Sequence, residues 1–242
     1  MKRVLSIVIL ALLLAYIGIA LAAFCPRPET AVCDGIELIG RSTSQFERED
    51  EVVGLLERFG LSPIGKPMTE ISCRAIEDSL RTLSLVLKCD CFKSVGTKVG
   101  IAITCRTPIM RIITDKGRSG YIDREGVLFD RLPKPVYLPV ATGNIDKDFA
   151  EKELYQMACF LQKDEFWNAQ IEQINVNAAH ELELVPRVGN NIIRFGKVEK
   201  VKYKFNKLRT FYEKGLSQVG WNRYDIIDVR YGNQVIGIKN KK

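Results

Sequence analysis

The stretch Val4–Phe24 constrains this chain more than any other part of the sequence. It carries no charged residue, and Lys2 and Arg3 stand directly before it. As a helix rising about 1.5 Å per residue it would reach roughly 30 Å, the thickness of the hydrocarbon core of a bilayer. Basic residues before an apolar segment favour a cytoplasmic N-terminus, so we expect the rest of the chain to lie across the membrane.

A cleaved signal peptide is the competing interpretation of the same stretch. Ala20, Leu21 and Ala22 form a small-x-small triplet of the kind that signal peptidases cut, and the basic start fits this interpretation equally well. The apolar run is longer, however, than the usual signal core of roughly 7–15 residues. Length therefore favours a retained anchor, and both interpretations predict a chain that acts outside the cytoplasm.

The composition is that of an ordinary globular protein. Of 242 residues, 46% are hydrophobic and 27% are charged, which excludes a disordered chain. The formal net charge is +7, and basic residues concentrate between Arg194 and Arg209 and in the terminal Lys239–Lys242. Outside the cytoplasm, such a surface indicates contact with anionic lipid of the inner membrane or with an acidic partner, and not with nucleic acid.

Seven cysteines are an odd number for an exported protein. Their spacing contains no CxxC pair, so the sequence predicts no zinc or other metal site. A bridge between Cys25 and Cys33 stays open as an alternative. Cys89, Cys91 and Cys105 fall in predicted strands, where we expect them to pack as small apolar residues.

Residues 33–107 follow the order strand, helix, helix, strand, strand. The predicted strands are Gly35–Ile39, Leu85–Phe92 and Lys98–Arg106. The capping signals that begin the two helices are Ser44 with Glu47, and Ser72. The first helix is expected to bury Val52, Val53, Leu55, Leu56 and Phe59, and the last strand Val99, Ile101, Ile103 and Cys105. This order predicts an α+β layer with two helices on one face of a three-stranded sheet.

Residues 108–242 have a β-rich pattern with flanking helices. The predicted strands of a meander are Ile109–Thr114, Gly120–Ile122, Val127–Phe129 and Val136–Val140, followed by the hairpin Ile171–Asn177 and Glu181–Val185 and the strand Ile192–Phe195. Two amphipathic helices are expected at Phe149–Gln162 and Val198–Glu213, the second ending at Gly215. The basic residues between Lys200 and Arg209 are interpreted as a solvated helix face.

The chain ends in a predicted hairpin, Asp225–Tyr231 and Gln234–Lys239, around a two-residue turn at Gly232-Asn233. The register pairs Tyr231 with Gln234, Val229 with Ile236, and Ile227 with Ile238. Ile236 would then face the core, whereas Val235 would face away from it. The outer edge of this last strand offers unpaired amides and carbonyls, to which the strand of a partner could add.

The sequence argues against an enzyme. Its single histidine, His180, stands in a turn between two predicted strands, and no GxSxG, HExxH, SxxK or P-loop pattern occurs. No nucleophile, base and orienting group come together in the pattern, and no cofactor is indicated.

Five segments resemble the bacterial cell-division family FtsQ/DivIB. They are Ile101–Ile112 with its Arg-x-Pro joint, Tyr121–Phe129, the Leu-Pro-x-x-x-Gly turn Leu138–Gly143, Glu181–Gly189, and Asp228–Tyr231. The fourth is similar to Bacteroidetes-type members. The resemblance covers nearly the whole chain, and the order and spacing of the segments make it more specific than any one of them.

The resemblance implies a domain organisation for the whole chain. It consists of a cytoplasmic stub at 1–3, a transmembrane anchor at 4–24, a spacer at 25–32, a POTRA domain at 33–107 and a β-domain at 108–242. The stub is shorter than the cytoplasmic tail of many relatives, so the resemblance does not extend to the contacts that relatives make through that tail.

The resemblance also implies a function without catalysis. The chain would be a single-pass inner-membrane scaffold of the divisome at the septum, with a periplasmic C-terminus. It would bind FtsB-like and FtsL-like partners and help control septal peptidoglycan synthesis. The expected partner-binding residues are Arg230, Tyr231, Asn233, Gln234, Val235, Ile236, Gly237 and Ile238.

Two other classes of protein remain as alternatives. One is an exported enzyme that acts on the cell wall and uses a POTRA module for docking, against which the missing catalytic pattern counts. The other is an envelope-assembly factor, which usually carries repeated POTRA units, whereas this sequence has no internal repeat. Gene depletion separates them, because only a division protein is expected to give long filaments.

Overall fold

The computed structural model describes residues 10–20, 31–39, 45–46, 48–94 and 96–239. A helix covers residues 10–20. Across these ranges no helix combines the length and the apolar character needed to cross a membrane. The remaining parts of the expected anchor Val4–Phe24 lie outside the described residues, as do Cys25 and the capping pair Ser44 and Glu47. The chain divides into two compact units between Thr104 and Cys105.

The first unit has the order of elements that the sequence predicts. These elements are β1 (Gly35–Ile39), α1 (Glu49–Arg58), α2 (Cys73–Arg81), β2 (Val86–Lys93) and β3 (Lys98–Cys105). Within the described residues, the strands form a three-stranded sheet in the order β1-β3-β2, and β1 runs parallel to β3. The predicted βααββ arrangement is therefore confirmed.

Local signals explain most of the first unit. The Ala75 N–H donates to the Ser72 hydroxyl at 3.3 Å, as expected of a capping serine. The alternating set that the sequence assigns to the core face of β3 is buried throughout: Val99, Ile101, Ile103 and Cys105. The prediction for Phe59 was wrong, because this residue follows the last residue of α1 and is 40% exposed.

The second unit is built on a nine-stranded sheet within the described residues. The strands are β4 (Pro108–Thr114), β5 (Ser119–Asp123), β6 (Leu128–Phe129), β7 (Val140–Gly143), β8 (Ile171–Val176), β9 (Leu182–Pro186), β10 (Ile192–Gly196), β11 (Ile226–Asp228) and β12 (Ile236–Ile238). Their order in the sheet is β12-β11-β10-β9-β8-β7-β4-β5-β6. The predicted mixed α+β class, with a β-rich C-terminal part, is confirmed.

The predicted meander is correct only for β4, β5 and β6. The prediction of a strand at Val136–Val140 was wrong, because β7 begins at Val140 and runs parallel to β4. Pro135 and Pro139 bracket the irregular stretch before it, and a proline has no N–H to donate to a ladder. The Pro139 carbonyl still accepts a hydrogen bond from the Arg111 N–H at 3.0 Å, which leads the chain into β7.

Helices with π-helical segments supply one side of the core of the second unit. Helix α3 consists of Lys147–Phe149, the π segment Ala150–Leu154 and Tyr155–Lys163; α4 is Glu165–Gln170; and α5 consists of Val201–Phe211, the π segment Tyr212–Leu216 and Ser217–Val219. The predicted start of α5 at Val198 was wrong, because Lys200 has a left-handed backbone with φ 51°. Its predicted end at Glu213, with Gly215 at the stop, was also wrong, since the helix continues to Val219 and is followed by Gly220, where φ is 93°.

The C-terminal hairpin has a different register from the predicted one. Its pairs are Ile226 with Ile238, Ile227 with Gly237, and Asp228 with Ile236, which is a slip of one residue, and residues 229–235 form a loop instead of a two-residue turn. A Cβ atom on Gly237 would lie 2.6 Å from the Tyr224 ring. The glycine thus makes room for Tyr224, and this contact places Gly237 on the core face opposite Ile227. Val235 packs against the core, so the prediction that it faces away was wrong.

Candidate partner interface

Strand β12 lies at one end of the nine-stranded sheet, with no further strand beside it among the described residues. Backbone bonds on the other side of β11 show which peptide groups of β12 point outward. The Val229 N–H donates to the Arg194 carbonyl, and the Asp225 carbonyl accepts from Ile192, both toward β10. The N–H and C=O groups of successive residues point to opposite sides of a strand, so those of Ile226 and Asp228 point toward β12, where they pair with Ile238 and Ile236. The N–H and C=O groups of Gly237, between these two residues, therefore point away from β11 to the open side of the sheet.

The loop at residues 229–235, here called the β11–β12 loop, is fastened to helix α5. The Lys207 ammonium donates to the carbonyls of Val229 (3.1 Å), Tyr231 and Gln234 (3.4 Å). One turn earlier, the Tyr203 hydroxyl donates to the Gly232 carbonyl at 2.9 Å. Two side chains on one face of α5 therefore fix a loop that has no regular structure of its own.

An ion pair between Arg230 and Asp228 connects the loop to β11. Arg230 donates to both carboxylate oxygens of Asp228, at 2.7 Å from Nη2 to Oδ2 and 3.0 Å from Nε to Oδ1. The Asp228 side chain is 3% exposed, and its Oδ1 also accepts the Arg230 backbone N–H at 3.0 Å. The Arg230 stem packs on Gly196, where a Cβ would lie 2.9 Å from it. The pair thus joins β11, the loop and the end of β10.

Burial and the Arg230 side chain shift the pKa of the Asp228 carboxyl in opposite directions. Burial raises its pKa, but the hydrogen bonds from Arg230 outweigh this effect and leave the pKa below its ordinary value. The stability that the pair contributes is therefore present above about pH 4, near the ordinary pKa of an aspartate. It is lost as the pH falls through the lowered pKa of Asp228.

We expect Asp228→Asn to flatten the acid side of the stability profile. The variant cannot lose a carboxylate on acidification, so its thermal midpoint should fall less steeply than that of the wild type below about pH 4. The measurement is the thermal midpoint of both proteins at a series of pH values. An equal acid slope in the two proteins would contradict the assigned role of this carboxylate.

The structure changes the interpretation of the basic residues on α5. Lys204 donates to the carbonyls of Phe195 (2.9 Å) and Lys197 (2.7 Å), and burial lowers its pKa. Arg209 Nη2 donates to both carboxylate oxygens of Asp164, at 2.8 and 3.0 Å. The prediction of a purely solvated face was wrong for Lys204, Lys207 and Arg209. The two lysines donate to backbone carbonyls, and Arg209 binds the residue directly before α4. Among the lysines inside this helix, Lys202 and Lys214 stay exposed.

The expected binding residues fall into two groups. Those of the loop are exposed: Arg230, Tyr231, Asn233 and Gln234. Those at or next to the edge strand are half-buried: Val235, Ile236, Gly237 and Ile238. Sequence reasoning missed Tyr203, Lys207 and Asp228, which hold the loop in place. The spacing of Tyr203 and Lys207, four residues apart on one helix, was the only sequence signal for the first two.

Comparison with known families identifies both units. Residues 107–238 match the family model described as FtsQ/DivIB, C-terminal related. The chain belongs to the FtsQ/DivIB family. Residues 31–104 match a POTRA-like domain, which agrees with the βααββ order of the first unit. A search of curated proteins finds no match to the chain.

Membership of the FtsQ/DivIB family makes the chain a cell-division protein. The family is generally a non-catalytic scaffold, its members act at the division site as membrane proteins, and their partners are proteins of the divisome.

The second unit of this FtsQ/DivIB protein begins with a buried ion pair inside the segments that carry the resemblance. Arg106 Nη1 lies 2.7 Å from Asp123 Oδ2, and Asp123 Oδ1 accepts the N–H groups of Glu125 and Val127.

Proposed function

We propose that this FtsQ/DivIB protein is a membrane-anchored scaffold of the divisome that binds a partner by β-strand addition at β12. The observation that supports the proposal is the open edge of β12, whose Gly237 peptide groups point away from β11. Main-chain bonds to an added strand would give affinity, and alternate side chains would give specificity. The fastened β11–β12 loop beside the edge would limit the ordering cost of binding.

The proposed partners are FtsB-like and FtsL-like single-pass division proteins. Lys200 and Arg230 line the surface beside the loop, and Lys239 directly follows β12. They favour a partner segment with acidic residues next to its strand, because complementary charge raises the association rate. Through these contacts the protein would help control septal peptidoglycan synthesis.

The proposed topology is a single-pass inner-membrane protein with a cytoplasmic N-terminus. The apolar Val4–Phe24 and the preceding Lys2 and Arg3 support it. We expect the intact mass of the chain from the membrane fraction to include this stretch. A mature chain that begins near Ala23 would show cleavage and contradict the anchor.

Depletion of the gene tests the division function. We expect cells to grow into long filaments without septa, because a missing scaffold stops septal synthesis while elongation continues. Re-expression of the wild-type chain should restore normal cell length. Normal division together with an envelope defect would contradict the proposal and favour the assembly-factor alternative.

A further inference from the structure

Helix α2 lies against strand β2 in the first unit. The Cys91 N–H donates to the Glu77 carboxylate at 2.8 Å, and Arg81 Nη2 donates to the Cys89 carbonyl at 2.5 Å. Glu77 and Arg81 are one helical turn apart, and Cys73 stands one turn before Glu77. The same face of α2 therefore follows β2 from Cys89 toward Cys91, with Cys73 at the Cys91 end.

The two thiols meet at this point. The Cys91 thiol lies next to the thiol of Cys73, which adds to the rise in the pKa of Cys91, and neither residue is in a disulfide in the structure. Cys91 is 8% exposed, and burial raises its pKa. Cys73, the first residue of α2, is half-exposed. An oxidant can therefore reach Cys73, whereas Cys91 is buried next to it.

We propose that Cys73 and Cys91 are a disulfide-forming pair that fastens α2 to β2. The Cys73 thiolate attacks a disulfide-bearing oxidant, forms a mixed disulfide and releases one thiolate of that oxidant. The Cys91 thiolate then attacks Cys73 Sγ and displaces the second one. The oxidant gains two electrons as a dithiol, and the two protein thiols lose theirs and give up two protons. Formation in the cell rests on the extracytoplasmic location proposed above.

Cys89 is the competing partner for Cys73. It lies two residues before Cys91 on β2, which separates their Cα atoms by roughly 6–7 Å along the strand. Its backbone is held under Arg81, two turns away from Cys73. Disulfide geometry requires Cα atoms within about 7 Å of each other, so the interaction of Cys73 with the Cys91 thiol favours Cys91 as its partner.

The test uses the full chain in detergent, fully reduced and then exposed to oxidised glutathione. We expect a Cys73–Cys91 cross-linked peptide on digestion without reductant, with the mass of two hydrogens lost. The bridge closes a loop of about 18 residues, so the thermal midpoint should rise by about 5 °C or more. Cys73→Ser and Cys91→Ser should lose both effects, whereas the matched control Cys89→Ser should keep both.

A glutathione adduct on Cys73 without the cross-link, or a cross-link that Cys89→Ser abolishes, would contradict the proposal that Cys73 and Cys91 form a disulfide. A second measurement traps thiols in intact cells before extraction. Finding the bridge there supports the pair and its oxidising location. A bridge that forms with glutathione but is absent in cells would leave the pair established and contradict the proposed location instead.

Discussion

Ile103→Asp is expected to unfold the POTRA unit. Ile103 is 7% exposed on β3, the middle strand of the order β1-β3-β2. An unpaired carboxylate at this position costs several kcal/mol, which is comparable with the whole stability of a small domain. Limited proteolysis of the full chain in detergent should give rapid cleavage throughout the first unit.

The matched control for this change is Thr104→Asp. Thr104 is the next residue on β3 and is half-exposed on the opposite face, so its carboxylate can stay in water. We expect this variant to resist the protease as the wild type does. Equal resistance of Ile103→Asp would show that the core face of β3 is assigned wrongly.

The first unit could be predicted from sequence because its signals are local. The Ser72 cap, the alternation along β3 and the apolar stripe of α2 with Ile76 and Leu80 each lie within one element. Cys89 and Cys91 were correctly expected to be buried in a strand. The sequence could not predict that Cys73 meets Cys91, because that contact depends on how α2 lies on β2.

The end of the sheet could be predicted only in outline. The last predicted strand was expected to offer an open edge, and β12 stands at one end of the sheet that the described residues form. The register did not follow, because it depends on the Tyr224 ring over Gly237 and on Lys207 from a distant helix. The parallel pairing of β7 with β4 was missed for the same reason, since a crossover partner leaves no local pattern.

Lys239→Pro is expected to weaken partner binding strongly while the fold remains intact. The alternation that turns the Gly237 peptide groups outward, continued along the strand, places the Lys239 N–H on the open side of β12. Proline removes this donor and projects its ring toward an incoming strand. It also restricts Ile238 to extended backbone, which that residue already has in β12.

The matched control is Lys239→Gln, which loses the same charge but keeps the amide. A role of Lys239 through its charge alone would make both variants equally weak. If the proline blocks strand addition, only that variant should bind the partner more weakly, with a Kd raised by more than about tenfold, equivalent to about 1.4 kcal/mol. Unchanged thermal midpoints in both variants would show that the fold is retained.

The most direct test of strand addition is hydrogen exchange at the Gly237 amide, measured with and without the FtsB-like partner. This N–H points to the open side of β12 and has no partner strand among the described residues. The proposed function predicts that saturating partner slows its exchange strongly in the wild type and in Lys239→Gln. Exchange at Gly237 that stays fast while the partner is bound would place the binding site elsewhere and contradict strand addition at β12.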